Sequence, residues 1–338
     1  MFVSNSADCN YFINLLVKLL NRGYWGIITR KCFDDSSVLC SGYAVITMSL
    51  IEIRPLPQFL LEKAAKEINE VPKRIPDDLR VLRDWLKKEP HLISRTDDQF
   101  LVCFLRGCKH SLERSKEKLE SYYTLRTAVP EFFTKRDPTD PEFIDLISKG
   151  LVCPLPIPHP KGSRIILCKP GVYDVNRHGF ITCMKYSLML IDRNFVEDDY
   201  FNICGYNIFL DMKGFTGKHI AQVTVPILKK VAELFKDALV ALAKTFLPAK
   251  IANQIYFHSD IKSVYKFLPQ SCLPAEYGGD AGTVAEITSN YMEMYLSDEK
   301  WFIQDAKYRT DESKRRGAPV TPSDLFGIDG SFRKLEID

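Results

Sequence analysis

The sequence predicts an α/β protein in which a helical N-terminal module precedes a mixed domain built on a small, mostly parallel sheet. Three observations predict it. Residues 55–133 carry apolar side chains at helical spacing. Residues 163–280 alternate apolar runs of strand length with helical segments. A stretch rich in Pro and Asp, 134–162, lies between the two. Strands separated by helices point to parallel pairing, because each helix carries the chain back across the sheet to start the next strand in the same direction.

The elements follow in order. Residues 1–47 show no sustained period and hold three cysteines; Met48 then opens Met48-Ser-Leu-Ile-Glu-Ile-Arg-Pro, after which the patterning becomes regular. We read 1–47 as an atypical, poorly ordered extension, with a targeting segment as the rival. Ile75, Leu79, Leu82 and Leu86 form one apolar stripe, and Pro90 is expected to end that helix. Thr96-Asp-Asp-Gln99 has the form of a capping box ahead of Phe100, Leu101, Phe104, Leu105 and Cys108. A further helix starts near Ser111, runs through Leu119, Tyr122 and Leu125, and stops at Pro130.

The Pro-rich stretch reads as a linker around a short helix, Glu142–Ser148. Arg164–Cys168, Ile203–Asp211 and Ile255–Phe257 read as strands, the second covered on both faces. Met184, Leu188 and Ile191 line a helix, and Ala285–Lys307 reads as a C-terminal helix before a charged tail. The expected division is 1–47, 48–135, 136–290 and 291–338.

Composition narrows the function. The 338 residues hold 46 Lys+Arg against 43 Asp+Glu, so the basic excess of a nucleic-acid binder is missing. A few clustered Lys or Arg still suffice for contact with an anionic membrane. The ten cysteines show no CxxC spacing and read as free thiols of a reducing, cytoplasmic compartment. No stretch reaches the roughly 20 apolar residues that span a bilayer. The sequence has no GxGxxG, P-loop, GxSxG or HExxH motif, and its six histidines lack metal-ligand spacing. His219 is a general-base candidate better read as a helix cap, Asp211 a strand-end carboxylate better read as a turn former, and Gly278–Gly282 a structural turn. No catalytic residue, metal ligand or cofactor is expected.

Several segments converge on one family. Thr96–Lys109, Lys118–Arg126, Phe209-Leu-Asp-Met-Lys-Gly214 and Leu273-Pro-Ala-Glu-Tyr-Gly-Gly279 together resemble CRAL-TRIO lipid-transfer proteins over roughly residues 50–290, nearest an insect branch similar to alpha-tocopherol transfer protein. The resemblance implies a lipid cage with a sheet floor, helical walls and a movable lid. It places Met184, Leu188, Ile191, Tyr206, Ile208, Leu210, Val231, Leu234 and Phe235 along the pocket, with ordinary core packing as the alternative. It places Lys244 and Arg106 among phosphoinositide-binding residues, with Lys109 replacing an arginine where Cys108 stands.

The ligand implied is a tocopherol- or retinoid-like isoprenoid or a phospholipid, carried by a cytoplasmic monomer that meets membranes transiently and binds no nucleic acid. At about 0.8 kcal/mol per buried CH₂, a ligand of ~15 carbons gains ~12 kcal/mol before binding costs.

One departure from the family stands out. Relatives place a strand between the helix at Val225–Phe235 and the lid helix near Pro248. Here Lys229–Lys244 runs on at helical spacing, which predicts one helix from Pro226 to Leu247 and a deletion near 235–240. The alternative function that this supports is a ligand-free interaction or regulatory module.

Overall fold

A computed structural model describes residues 25–29, 53–234 and 255–326. Its first element is a strand, β1 (Trp25–Thr29), inside the segment expected to be poorly ordered; the rest of 1–47 lies outside the described residues. The helical module follows as α1 (Gln58–Glu67), α2 (Ile75–Leu86), a short strand β2 (Leu92–Ile93), α3 (Asp98–Gly107), α4 (Leu112–Ala128) and α5 (Pro130–Phe133). Ile75, Leu79, Leu82 and Leu86 are all buried, packed against Phe100, Leu101, Leu105, Leu119 and Tyr123. The period-3.6 stripe is therefore the seam that holds α2 on α3 and α4. Pro76 sits in the first turn of α2, where its missing N–H costs nothing.

The expected capping box is replaced by a simpler cap. Asp97, not Thr96, caps α3, its carboxylate accepting from the Phe100 amide at 3.0 Å. Gln99 turns away: its side chain accepts from the Arg54 amide at 3.0 Å and donates to the Val196 carbonyl at 3.4 Å. A carboxylate one residue nearer the helix plays the same capping role, for the N–H of Phe100 in place of that of Gln99.

The Pro-rich stretch is built into the domain and is no free linker. It forms α6 (Pro141–Ser148) and β3 (Val152–Pro154), and Phe143, Leu146 and Ile147 are buried against Tyr186, Met189 and Tyr295. After it come β4 (Arg164–Cys168), α7 (Phe180–Glu197), α8 (Asp199–Cys204), β5 (Tyr206–Asp211), α9 (Gly217–Ala221) and α10 (Val225–Leu234). The strand expected from Ile203 starts only at Tyr206. Ile203 and Cys204 belong to α8, and Gly205, at φ 74°, makes the turn between them. The helix expected to run to Leu247 is described only as far as Leu234.

The chain closes with β6 (Ile255–His258), α11 (Ile261–Val264), α12 (Val284–Ser297), α13 (Glu299–Asp305), β7 (Arg309–Thr310) and α14 (Pro322–Phe326). The single helix expected over Ala285–Lys307 is thus two, broken at Asp298. The Asp298 amide donates to the Met294 and Tyr295 carbonyls, and its carboxylate is held by Arg193 at 2.5 Å.

The main sheet has five strands in the order β3-β4-β5-β1-β6. β4 and β5 pair in parallel, joined through α7 and α8. β3 pairs antiparallel with β4, and β1 antiparallel with both β5 and β6. β4, β5 and β6 therefore run in one direction, and the antiparallel β1 lies between the last two. β2 and β7 form a separate antiparallel pair.

Candidate functional site

β5 divides the domain into two environments. Along it burial alternates: Asn207, Phe209 and Asp211 are buried, whereas Tyr206, Ile208 and Leu210 are half-buried. The strand is covered fully on one face only, against the expectation of two.

On the closed face Phe209 packs with Ile165, Leu167, Leu273 and Tyr277, its ring 5.0 Å from that of Tyr277. The polar groups there are satisfied. Asn207 donates to the Ser163 hydroxyl at 2.7 Å, and Asp211 accepts from the Tyr277 hydroxyl at 2.8 Å and the Lys213 amide at 2.9 Å. Asp211 is thus the turn former read from sequence. Burial and the neighbouring Asp211 carboxylate push the Tyr277 hydroxyl well above its ordinary pKa, so it stays a donor.

On the open face Tyr206 is paired with Arg164, Ile208 with Ile166 and Leu210 with Cys168. Tyr206 stacks on Phe201, with ring centroids 4.8 Å apart.

The helical candidates gather in a cluster of their own that contains no residue of β5. Leu188 is buried, and Met184 and Ile191 of α7 join Val231 and Leu234 of α10 in one apolar cluster with Phe132, Phe133 and Phe326. Spacings of i, i+4 and i+7 put the three α7 residues on one stripe. Tyr206 belongs to the adjoining cluster around Tyr186 and Met189, on the other side of α7. Phe235 lies outside the described residues. A cavity of about 670 Å³ is lined elsewhere, by Pro156, Glu286, Tyr291 and Met294 among others, and includes none of the expected pocket residues.

The expected headgroup residues separate. Lys244 lies outside the described residues. Lys109 is exposed at the end of α3 with a left-handed backbone, φ 53°. Arg106 points inward and is only 2% exposed. Its guanidinium pairs bidentately with Glu70, at 2.9 and 3.1 Å, and with Asp199 at 2.9 Å. This geometry argues against a headgroup contact by Arg106, because all three of its nitrogens are already engaged with buried carboxylates. Burial alone would raise Glu70, but hydrogen bonds from His110 and Arg106 bring it down to about 2.

A second buried ionic group ties α4 to the domain. Arg126 reaches Asp305 at 2.7 Å and Asp192 at 2.6 Å, Arg136 also pairs with Asp192, and the Arg126 guanidinium lies 4.3 Å from the Tyr122 ring centre. Neither cluster was anticipated from sequence, since partners such as Arg126 and Asp305 stand 179 residues apart. The only local signal was an arginine on each helix among apolar neighbours.

The remaining chemistry-bearing residues have structural roles. Buried His219 caps α9, its Nδ1 accepting from the Thr216 amide at 3.1 Å while Nε2 faces the Tyr173 carbonyl at 3.3 Å. In the Gly278 turn, a side chain at Gly279 would meet the Leu273 carbonyl oxygen at 2.0 Å. Cys103, Cys153, Cys168, Cys183 and Cys272 are free thiols, and burial pushes those of Cys153 and Cys183 up to about 12. Among the described residues no His, Cys, Asp and Glu side chains group as a metal site, and no helix is long and apolar enough to cross a membrane.

Comparison with known proteins fits this architecture. Residues 71–143 match the family model "Pinta-like, UBA domain", and residues 148–241 and 237–279 match "CRAL/TRIO domain" in two pieces. The chain is 27% identical over 303 residues to "Alpha-tocopherol transfer protein-like" from Homo sapiens, covering 80% of this chain and 87% of that protein. It is 26% identical over 251 residues to Clavesin-1 from Xenopus laevis, covering 67% and 75%. Clavesin-2 from Rattus norvegicus is 25% identical over 306 residues, covering 80% and 93%. The protein carries a UBA-like helical region followed by a CRAL/TRIO domain, and it is homologous to the alpha-tocopherol transfer protein-like proteins and the clavesins.

Proposed function

We propose that the protein binds a hydrophobic small molecule beside the open face of β5 and carries it between membranes. The observation that carries this reading is the asymmetry of that strand. Tyr206, Ile208 and Leu210 are only half-buried on a strand whose other face is sealed, and Met184, Ile191, Val231 and Leu234 are likewise partly buried, in a separate apolar cluster. Partly covered apolar area of this kind gains from an apolar ligand about 25 cal/mol per Å² removed from water.

A tocopherol- or retinoid-like isoprenoid is the ligand class we favour over a phospholipid, on the homology to alpha-tocopherol transfer protein-like proteins. Lys244 and the exposed Lys109 are our candidates for phosphoinositide contact at a membrane, where opening of the lid would release the ligand from a monomeric, cytoplasmic carrier. No step of binding or release calls for a catalyst. We also propose that the domain is shortened near residue 240, which agrees with the two-piece match meeting at 237–241.

A second reading is a module that holds no ligand. One observation favours it: Met184, Leu188, Ile191, Val231 and Leu234 pack with Phe132, Phe133 and Phe326 and do not line the cavity of about 670 Å³. Solvent extraction of the purified full chain followed by mass spectrometry separates the two. About one lipid per chain is expected for a carrier; a folded chain that retains none after incubation with mixed isoprenoid and phospholipid vesicles is the second reading.

A further inference from the structure

The place between β5 and β6 is filled from far away in the chain. Trp25–Thr29 lies antiparallel to both strands, with Ile27 opposite Phe209 on one side and Tyr256 on the other. The register is continuous: all five residues of β1 have partners on β5, and four have partners on β6. This segment ends well before the CRAL/TRIO match, which begins at residue 148.

Adjacent strands lie about 4.8 Å apart, so without β1 its two neighbours would face each other across about 9.6 Å. That gap is too wide for direct hydrogen bonds. It would leave a row of unpaired N–H and C=O groups on each wall, at a large cost where the backbone is buried.

We propose that residues 25–29 are a tethered complementing strand: the sheet contains a strand-shaped slot, and its occupant is this N-terminal segment. Ile27, Ile28 and Thr29 are β-branched and suit a strand. Recognition runs through the main chain, with both walls demanding an antiparallel partner. The slot therefore accepts the same segment supplied as a separate peptide once the tethered copy is disabled. This inference rests on strand pairing and does not depend on the lipid reading, since its tests contain no lipid.

Hydrogen exchange followed by mass spectrometry on the full chain is the first test. Amides of 25–29 should exchange at least ~100-fold more slowly than in a free peptide of residues 22–32, as expected for a strand bonded on both edges. Exchange at the free-peptide rate overturns the proposal.

The second test uses Ile27→Pro in the full chain, which removes an amide donor from the middle of the strand. A fluorescein-labelled peptide of residues 22–32 should bind this variant saturably and leave the parent, whose slot is filled, unlabelled. A folded variant that takes up no peptide, or equal uptake by variant and parent, overturns it. If the variant fails to fold, the exchange measurement on the unmodified chain still decides.

Discussion

On one side of β5, Asn207, Phe209 and Asp211 are 7%, 0% and 4% exposed, and their polar atoms are hydrogen-bonded. On the other side, Tyr206, Ile208 and Leu210 have partners along the strands but incomplete cover above them. A single six-residue strand thus has one face finished as protein interior and one face left greasy and partly open. A close-packed interior gains its energy from contacts already made. Half-covered apolar surface keeps part of that energy in reserve for something that binds. We read this difference as the mark of the proposed binding face.

Substitutions on the two faces should therefore behave differently. Phe209→Ala empties a sealed site and should cost about 3–5 kcal/mol in urea denaturation. A loss under ~1 kcal/mol would show that the closed face is not solid. Asp211→Ala removes the acceptor of the buried Tyr277 hydroxyl and of the Lys213 amide. It should cost about 1–3 kcal/mol by the same assay, mostly as the penalty of taking a partner from buried donors.

Acid sharpens the comparison, because it acts on the ionic clamps that hold the helical module. Glu70 sits near 2 in the folded chain against an ordinary value of 4.5. Its contribution to stability is complete above about 4.5 and is lost as pH falls toward 2. The parent's stability in urea denaturation should fall as pH drops through that window, and Glu70→Gln should flatten the slope. Parallel pH curves for the two proteins would remove Glu70 from the account.

The smallest effect on stability is expected for Lys244→Glu. It should reduce binding to phosphoinositide-containing vesicles in a sedimentation assay while leaving ligand affinity in solution unchanged. Equal sedimentation of variant and parent counts against a membrane role for this lysine.

Much of this architecture was legible where the cause is local. The stripe from Ile75 to Leu86 reports its own burial through its period, and Arg164–Cys168 is bounded as a strand by its own composition. Boundaries set by one backbone angle were harder: Gly205 stops α8 and starts β5 within what reads as one apolar run.

Long-range partners were not legible at all. Nothing in Trp25-Gly-Ile-Ile-Thr29 names Phe209 and Tyr256 as neighbours, because strand pairing is a choice among many apolar segments. Arg106 carried a family expectation, but its burial depends on Glu70 and Asp199, which approach it only in the folded chain. For the candidate site, helical spacing found Met184, Leu188 and Ile191 together; which face of β5 stays open depended on what covers it.

The most direct measurement is Leu210→Trp in the full chain, read for thermal stability and for lipid retained after extraction. A larger side chain forced into a packed core costs about 1–3 kcal/mol, whereas one placed in ligand space fills that space. The account predicts unchanged or higher stability with most of the bound lipid lost. A destabilised protein that still retains its lipid in full would contradict it.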